Sequence, residues 1–222
     1  MWIKTETAPV AAGGMRHSPK ARMLRLLLNE AGTMLYEGDS PSVAEVAARA
    51  GVSRATAYRY FRSRSKLINA VVEDSLGPVL GRVASTNPDG RERIRELFAE
   101  TFPRFKEYEP QFRAALQLSL EHVAQERAGK LVEEPYRRGH RIRILTQAAA
   151  PLRRQLGKRR FDQLVRALSL VYGIEAYVVL RDIWGSSDRE IEAIARWVAD
   201  ALVSTAMREA AQAGNGRNRE GR

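Results

Sequence analysis

The sequence predicts an all-α protein of about nine helices. Apolar residues recur at three- and four-residue steps along most of the chain, and no stretch of useful length alternates as a strand does. Ser, Asp, Gly and Pro stand where helix caps and stops belong. With 222 residues, 44% hydrophobic and 28% charged, the chain can bury a sizeable core and is unlike a collagen-like or low-complexity sequence.

Residues 1–17 read as a flexible arm, with Pro9, Gly13 and Gly14 and no sustained apolar period. Lys4 and Glu6 interrupt it and no apolar core follows, so a signal peptide is not expected. Ser18-Pro19 then starts a helix carrying Met23, Leu24, Leu27, Leu28, Ala31, Met34 and Leu35, with Gly38 just beyond its end. Ser42 and Glu45 form a capping box, and the helix they open carries Val43, Val46, Ala47 and Ala50 and stops at Gly51. Ser53 caps a short helix reaching Phe61, and Ser63 or Ser65 opens a fourth with Leu67, Ile68, Val71 and Val72.

Further on, Asn87-Pro88-Asp89-Gly90 is a turn with an N-cap, followed by Ile94, Leu97, Phe98, Thr101, Phe102 and Phe105 at helical spacing. Pro110 opens a helix through Phe112, Leu116, Leu120 and Val123; another follows Pro135 and is bent or ended at Pro151. From Phe161 to Trp184 the chain is apolar nearly all round, which implies burial on more than one side. A second capping box, Ser187 with Glu190, launches a last helix with Ile191, Ile194, Trp197, Val198, Ala201 and Leu202. Residues 212–222 read as a disordered tail.

Composition removes several classes of function. With no cysteine there is no disulfide framework, thiolate metal site or thiol nucleophile. His17, His122 and His140 lie too far apart to form a helical metal motif. Nucleophile–base pairs and phosphate loops are equally missing from the sequence, so no catalytic residue, metal or cofactor is expected. Stretches free of charge reach only about nine residues, where a membrane span needs about twenty, so no membrane partner is expected. The net charge is +11, and 31 of the 37 basic residues are Arg, whose planar fork suits phosphate and guanine. A polyanionic partner, nucleic acid first, fits that balance.

Residues 42–61 locate the charge. Two short helices need a small residue where they cross, supplied by Ala47, and a turn residue that tolerates positive φ, supplied by Gly51. Val46, Val52 and Ala57 supply the apolar contacts that set the crossing, giving a helix-turn-helix pattern. Between Val46 and Val72 stand six basic residues (Arg49, Arg54, Arg59, Arg62, Arg64 and Lys66) and no acidic one. Ser53, Thr56, Tyr58 and Tyr60 lie among them and can bond phosphate oxygens.

Ala50-Gly51-Val52-Ser53, then Thr56, Tyr58, Tyr60-Phe61, Ser63, Arg64 and Leu67, resemble the recognition region of the TetR family of bacterial transcriptional regulators. Ala57 stands where a larger aliphatic is usual, Lys66 where an acid is usual, and the loop from Tyr36 to Ser42 is slightly short. The resemblance covers roughly residues 18–78 and implies a DNA-binding domain there, followed at 79–211 by an effector-binding and dimerisation domain. It also implies roles: Ser42, Ser53 and Tyr58 on phosphate, Arg54, Ala55, Thr56 and Arg59 facing the major groove, and Arg64 clamping the backbone.

The second domain carries weaker signals. Residues 135–161 hold nine Arg or Lys and no acid, which reads as a solvated helix face rather than an anion site. His122 reads as an ordinary polar position. Phe98, Phe102, Phe105, Phe112, Tyr136 and Tyr172 are candidates to line an effector pocket, and Val179, Ile183, Ile194, Trp197, Val198 and Ala201 are candidates for a dimer interface. The expected partners are double-stranded DNA carrying a palindromic operator, a second copy of the chain, and a small, largely apolar effector. The expected function is a cytoplasmic, nucleoid-associated homodimeric repressor. An activator, or a ligand-independent DNA-binding protein of the same fold, is the alternative. A non-specific packaging protein would need no large apolar second domain.

Overall fold

The computed structural model describes residues 18–81, 86–136 and 139–220. Among them are nine helices of seven residues or more and no strand. The arm expected at residues 1–17 lies outside the described residues, as do Arg137 and Arg138 of the basic stretch. The chain divides into two compact units, Met1–Leu67 and Ile68–Arg222. The division falls inside the fourth helix and not at Gly77-Pro78, where the sequence places it, because Val72 and Leu76 belong to the core of the second unit.

In the first unit, α1 spans Pro19–Tyr36, α2 Val43–Arg49 and α3 Arg54–Tyr60, and α4, Arg64–Leu76, begins. Each start is capped as the sequence predicts. Ser18 Oγ accepts from the Ala21 amide at 3.1 Å, with Pro19 in the first turn. At Ser42 the capping box is complete: its amide donates to Glu45 Oε2 at 2.7 Å and its Oγ accepts from the Glu45 amide at 3.3 Å. Ser63 is the cap of α4, since its Oγ accepts from the Lys66 amide. Leu27, Ala31, Leu35, Val43, Val46, Ala47, Ala57 and Phe61 form the buried core.

The second unit holds α5 (Pro78–Gly81), α6 (Gly90–Glu107), α7 (Glu109–Arg127), α8 (His140–Ala149), α9 (Arg153–Val171), α10 (Ile174–Val178) and α11 (Asp188–Glu220). A single 3-10 turn, Ala150–Leu152, joins α8 to α9 around Pro151, and α9 is kinked at Gly157. Helix α11 packs on α9 and α6, α8 packs on α9 and α6, and α10 packs on α7 and α9. No single helix among the described residues is long and apolar enough to cross a membrane. The pair 140–171 and 174–183 reaches that composition only when joined across a 43° bend, and its Leu145, Leu156, Phe161, Leu168 and Tyr177 are buried in this unit.

Three expectations change. The apolar run from Phe161 to Trp184 is not one helix: it breaks at Tyr172–Gly173, where Gly173 takes φ 151°, and resumes as α10 and a π-helical turn, Val179–Ile183. On α7 the inward residues are Gln111, Phe112, Ala115, Leu118 and His122; Leu120 and Val123, expected on the apolar face, are 62% and 45% exposed. Two polar residues, Gln111 and His122, take the inner face there, and His122 does so because it finds partners. Its Nδ1 accepts from the Tyr136 amide at 3.0 Å and its Nε2 faces Glu133 Oε1 at 3.3 Å, so it ties the segment before α8 to α7. Lastly, α11 continues to Glu220 through residues expected as a disordered tail, carried into them by the helix-favouring Ala210, Ala211 and Ala213.

Gly173 is the residue on which the break depends. A Cβ there would overlap the Arg141 guanidinium and crowd the Glu175 carboxylate, and the backbone angle is one that other residues rarely adopt. Gly173→Ala is expected to lower stability by about 1–3 kcal/mol, read as a lower urea midpoint at unchanged m-value. An unchanged midpoint would mean that the break does not require this conformation.

Candidate DNA interface and effector cavity

The turn between α2 and α3 is built as the sequence requires. Gly51 takes φ +67°, and the Val52 amide returns to the Ala47 carbonyl at 3.0 Å. Ala47 and Ala57 are fully buried, so the two short helices approach closely. With Ala57 inward, Arg54, Ala55, Tyr58 and Arg59 share the exposed side of α3, and Tyr58 is 44% exposed. Arg54, Arg59 and Arg62 make no ion pair among the described residues. The outward face of α3 thus presents guanidinium groups and a phenol free to meet an acceptor-rich partner.

Residues 39–71, which contain this turn, match the family model described as bacterial regulatory proteins, tetR family. The chain carries a TetR-type DNA-binding domain. It is a DNA-binding transcription regulator by that domain. Comparison with curated proteins and with solved structures gives no match.

Within the TetR-type domain the structure sorts the basic residues that the sequence counts together. Arg49 is committed internally: its Nη1 and Nη2 donate to Glu37 at 2.5 and 2.8 Å, and its Nε donates to Glu30 at 3.2 Å. Those hydrogen bonds hold the Glu37 carboxyl below the usual carboxylate range. Arg64 is half-buried and donates to Ser40 Oγ, bracing the loop ahead of α2. Ser42 and Ser53 are first of all caps; Ser53 Oγ accepts from the Thr56 amide at 3.1 Å and lies 2.9 Å from Thr56 Oγ1. Thr56 is half-buried in consequence. Arg62 is exposed and was not among the expected site residues; the acid-free stretch was the only signal for it.

The second unit contains a cavity of about 70 Å³. Phe105, Phe112, Tyr136 and Tyr172 line it, as the sequence proposes. Phe98 and Phe102 do not; they stack at 5.6 Å behind it, and Phe98 meets Tyr172 at 5.2 Å. Phe105 joins the two layers, edge-on to Phe102 at 5.5 Å and to Phe112 at 5.0 Å. The remaining wall comes from Val72, Leu76, Ala115, Ile144, Gly173 and Ile174, and its polar part from His140 and Arg141. The sequence does not mark these eight as pocket residues, because four separate segments bring them together. Burial pushes the Tyr172 phenol above its ordinary value. Thr101 Oγ1 donates to the Leu97 carbonyl, so at 2.8 Å it is Tyr172 that donates to Thr101.

The dimer candidates lie on the surface of this unit. Val179, Ile183, Ile194 and Trp197 are 46%, 73%, 39% and 72% exposed, Ala201 is exposed and Val198 half-buried. Ile191, Ala195, Ala199 and Val203 instead face the unit's own core. Among the described residues no group of three His, Asp or Glu side chains is placed to hold a metal ion.

Two arginines of the TetR-type domain should therefore behave oppositely. Arg49→Ala is expected to lower thermal stability slightly and to leave DNA affinity within about twofold, since its fork is spent on Glu30 and Glu37. Arg59→Ala should leave the melting midpoint unchanged and weaken DNA binding. Equal losses of affinity in the two variants, measured by fluorescence anisotropy, would contradict this division.

Proposed function

We propose that the protein is a homodimeric repressor that reads a palindromic operator and is released from it by a small, largely apolar effector. The observation that carries the reading is the outward face of α3: Arg54, Tyr58 and Arg59, exposed and, among the described residues, without ion-pair partners, on the second helix of a TetR-type turn. Arg54, Ala55, Thr56 and Arg59 read bases, while Tyr58, Ser42, Ser53 and Arg64 position the backbone. Arg64 and the two serines can do so while keeping the internal bonds described above, since each has further hydrogen-bonding capacity. A repressor of this kind works at the nucleoid, in the cytoplasm.

The surface supports the dimer. Trp197 and Ile183 expose large apolar area beside Ile194 and Val179, and a second copy of the chain is the partner that covers them while matching a two-fold operator. The cavity supports effector binding. Its volume is far below the about 300–1,000 Å³ of pockets that enclose drug-sized ligands, so a ligand there must push its walls apart. A ligand that prefers the expanded state shifts the balance away from the DNA-competent one, and a tenfold to hundredfold release requires about 1.4–3 kcal/mol of preference. Movement of α4, whose Val72 and Leu76 form part of the wall, is the proposed route to a changed half-site spacing.

Arg59→Ala and Tyr58→Phe are expected to weaken operator binding and leave dimerisation intact. Unchanged operator affinity in both would remove this face from the account. Trp197→Arg should give monomers or aggregates, because a buried unpaired charge costs about 3–5 kcal/mol. A wild-type chain sedimenting as a monomer at micromolar concentration would refute the dimer.

A further inference from the structure

The cavity in the second unit is chemically lopsided. Its body is aromatic and aliphatic, and besides the hydroxyls of Tyr136 and Tyr172 its polar lining is His140 and Arg141, with no acid. Each already meets a carboxylate, but neither carboxylate belongs to the wall. His140 Nε2 faces Glu73 Oε1 at 3.1 Å, and Arg141 Nη2 donates to Glu175 Oε2. Arg141 Nη1 donates to the Ser169 carbonyl at 3.1 Å, which fixes the guanidinium plane. Gly173 is on the wall, and its missing Cβ leaves the space in which the Arg141–Glu175 pair sits. The Tyr172 hydroxyl, spent on Thr101, offers no competing donor.

We infer that the cavity takes a ligand with an apolar body and a carboxylate head, and that the head binds Arg141 in place of Glu175. This rests on the reading of the cavity as the effector site and names the effector's chemical class. Arg141, which gives one Nη to Glu175 and the other to the Ser169 carbonyl, can exchange that carboxylate for another with little change in its own electrostatics. The displaced Glu175, its side chain 32% exposed, returns to water, and the body of the ligand supplies the net gain through burial against Phe105 and Phe112. An ammonium head would face the Arg141 guanidinium and would be repelled.

The exchange also has a mechanical consequence. Helix α10 and the π turn that continues it are pinned by three charged contacts: Glu175 to Arg141, Asp182 to Arg113 at 2.6 Å, and Arg181 to Asp188. Taking Arg141 away removes the first of these. The freed segment carries Val179 and Ile183, which stand on the proposed dimer face.

The test is calorimetric titration of the full chain with matched probes: phenylacetate and octanoate, their primary amides, and 2-phenylethylamine and octylamine. Each carboxylate is expected to bind at least tenfold more tightly than its amide, and the amines not to bind. Arg141→Gln should abolish that preference, Arg141→Lys should keep part of it, and Arg143→Gln, on the exposed side of α8, should leave it unchanged. Glu175→Gln, which removes the competing carboxylate, should tighten carboxylate binding several-fold. Amides or amines binding as tightly as the carboxylates would overturn this inference and leave the effector cavity standing. Failure of every probe to bind would overturn it and count against the effector reading as well.

Discussion

The break at Tyr172–Gly173 is the constraint on which the second unit depends. Apolar residues continue from Phe161 to Trp184, and without an interruption they would form one straight helix buried on all sides. Gly173 admits a backbone angle that stops α9 and turns the chain, so Tyr172 points into the aromatic cluster and Ile174 restarts on a new axis. The same break leaves room for the Arg141–Glu175 pair against the backbone. One residue thus shapes the cavity, sets the direction of α10 and carries Val179 and Ile183 to the surface.

In the first unit the corresponding constraint is close approach. Ala47 and Ala57 have no bulk to hold α2 and α3 apart, and Gly51 supplies the positive φ of the turn. Because Ala57 faces inward, the side of α3 that carries Arg54, Tyr58 and Arg59 must face outward. Charge then divides by partner. Arg49 has Glu30 and Glu37 beside it and becomes part of the scaffold, whereas Arg54 and Arg59 make no ion pair among the described residues.

What was legible in the sequence was local. Caps at Ser18, Ser42, Ser53 and Asp89, the turn at Gly51 and the aromatic spacing from Phe98 to Phe112 are each set within a few residues, and each stands where it was read. What was not legible was set at long range. The Arg49–Glu37 fork joins α2 to the end of α1, and a charge count cannot show that this arginine is already occupied. The inward face of α7 is not legible because Gln111 and His122 are polar, and the burial of His122 depends on a partner elsewhere, the Tyr136 amide. The polar wall of the cavity is hidden for a similar reason: Arg141 reads as one more residue of an Arg-rich stretch until Glu175 and Gly173 are brought beside it.

A sequence-specific regulator and a merely basic protein differ in what salt does to them. Both lose affinity as salt rises, through release of counterions, but only the regulator keeps a preference that base contacts confer. The most direct measurement is the affinity of the full chain for a palindrome flanking its own coding sequence and for random DNA of equal length, compared at matched salt. The account predicts that the palindrome binds at least about a thousandfold more tightly at physiological salt. Equal affinity for the two DNAs across the salt range would contradict it.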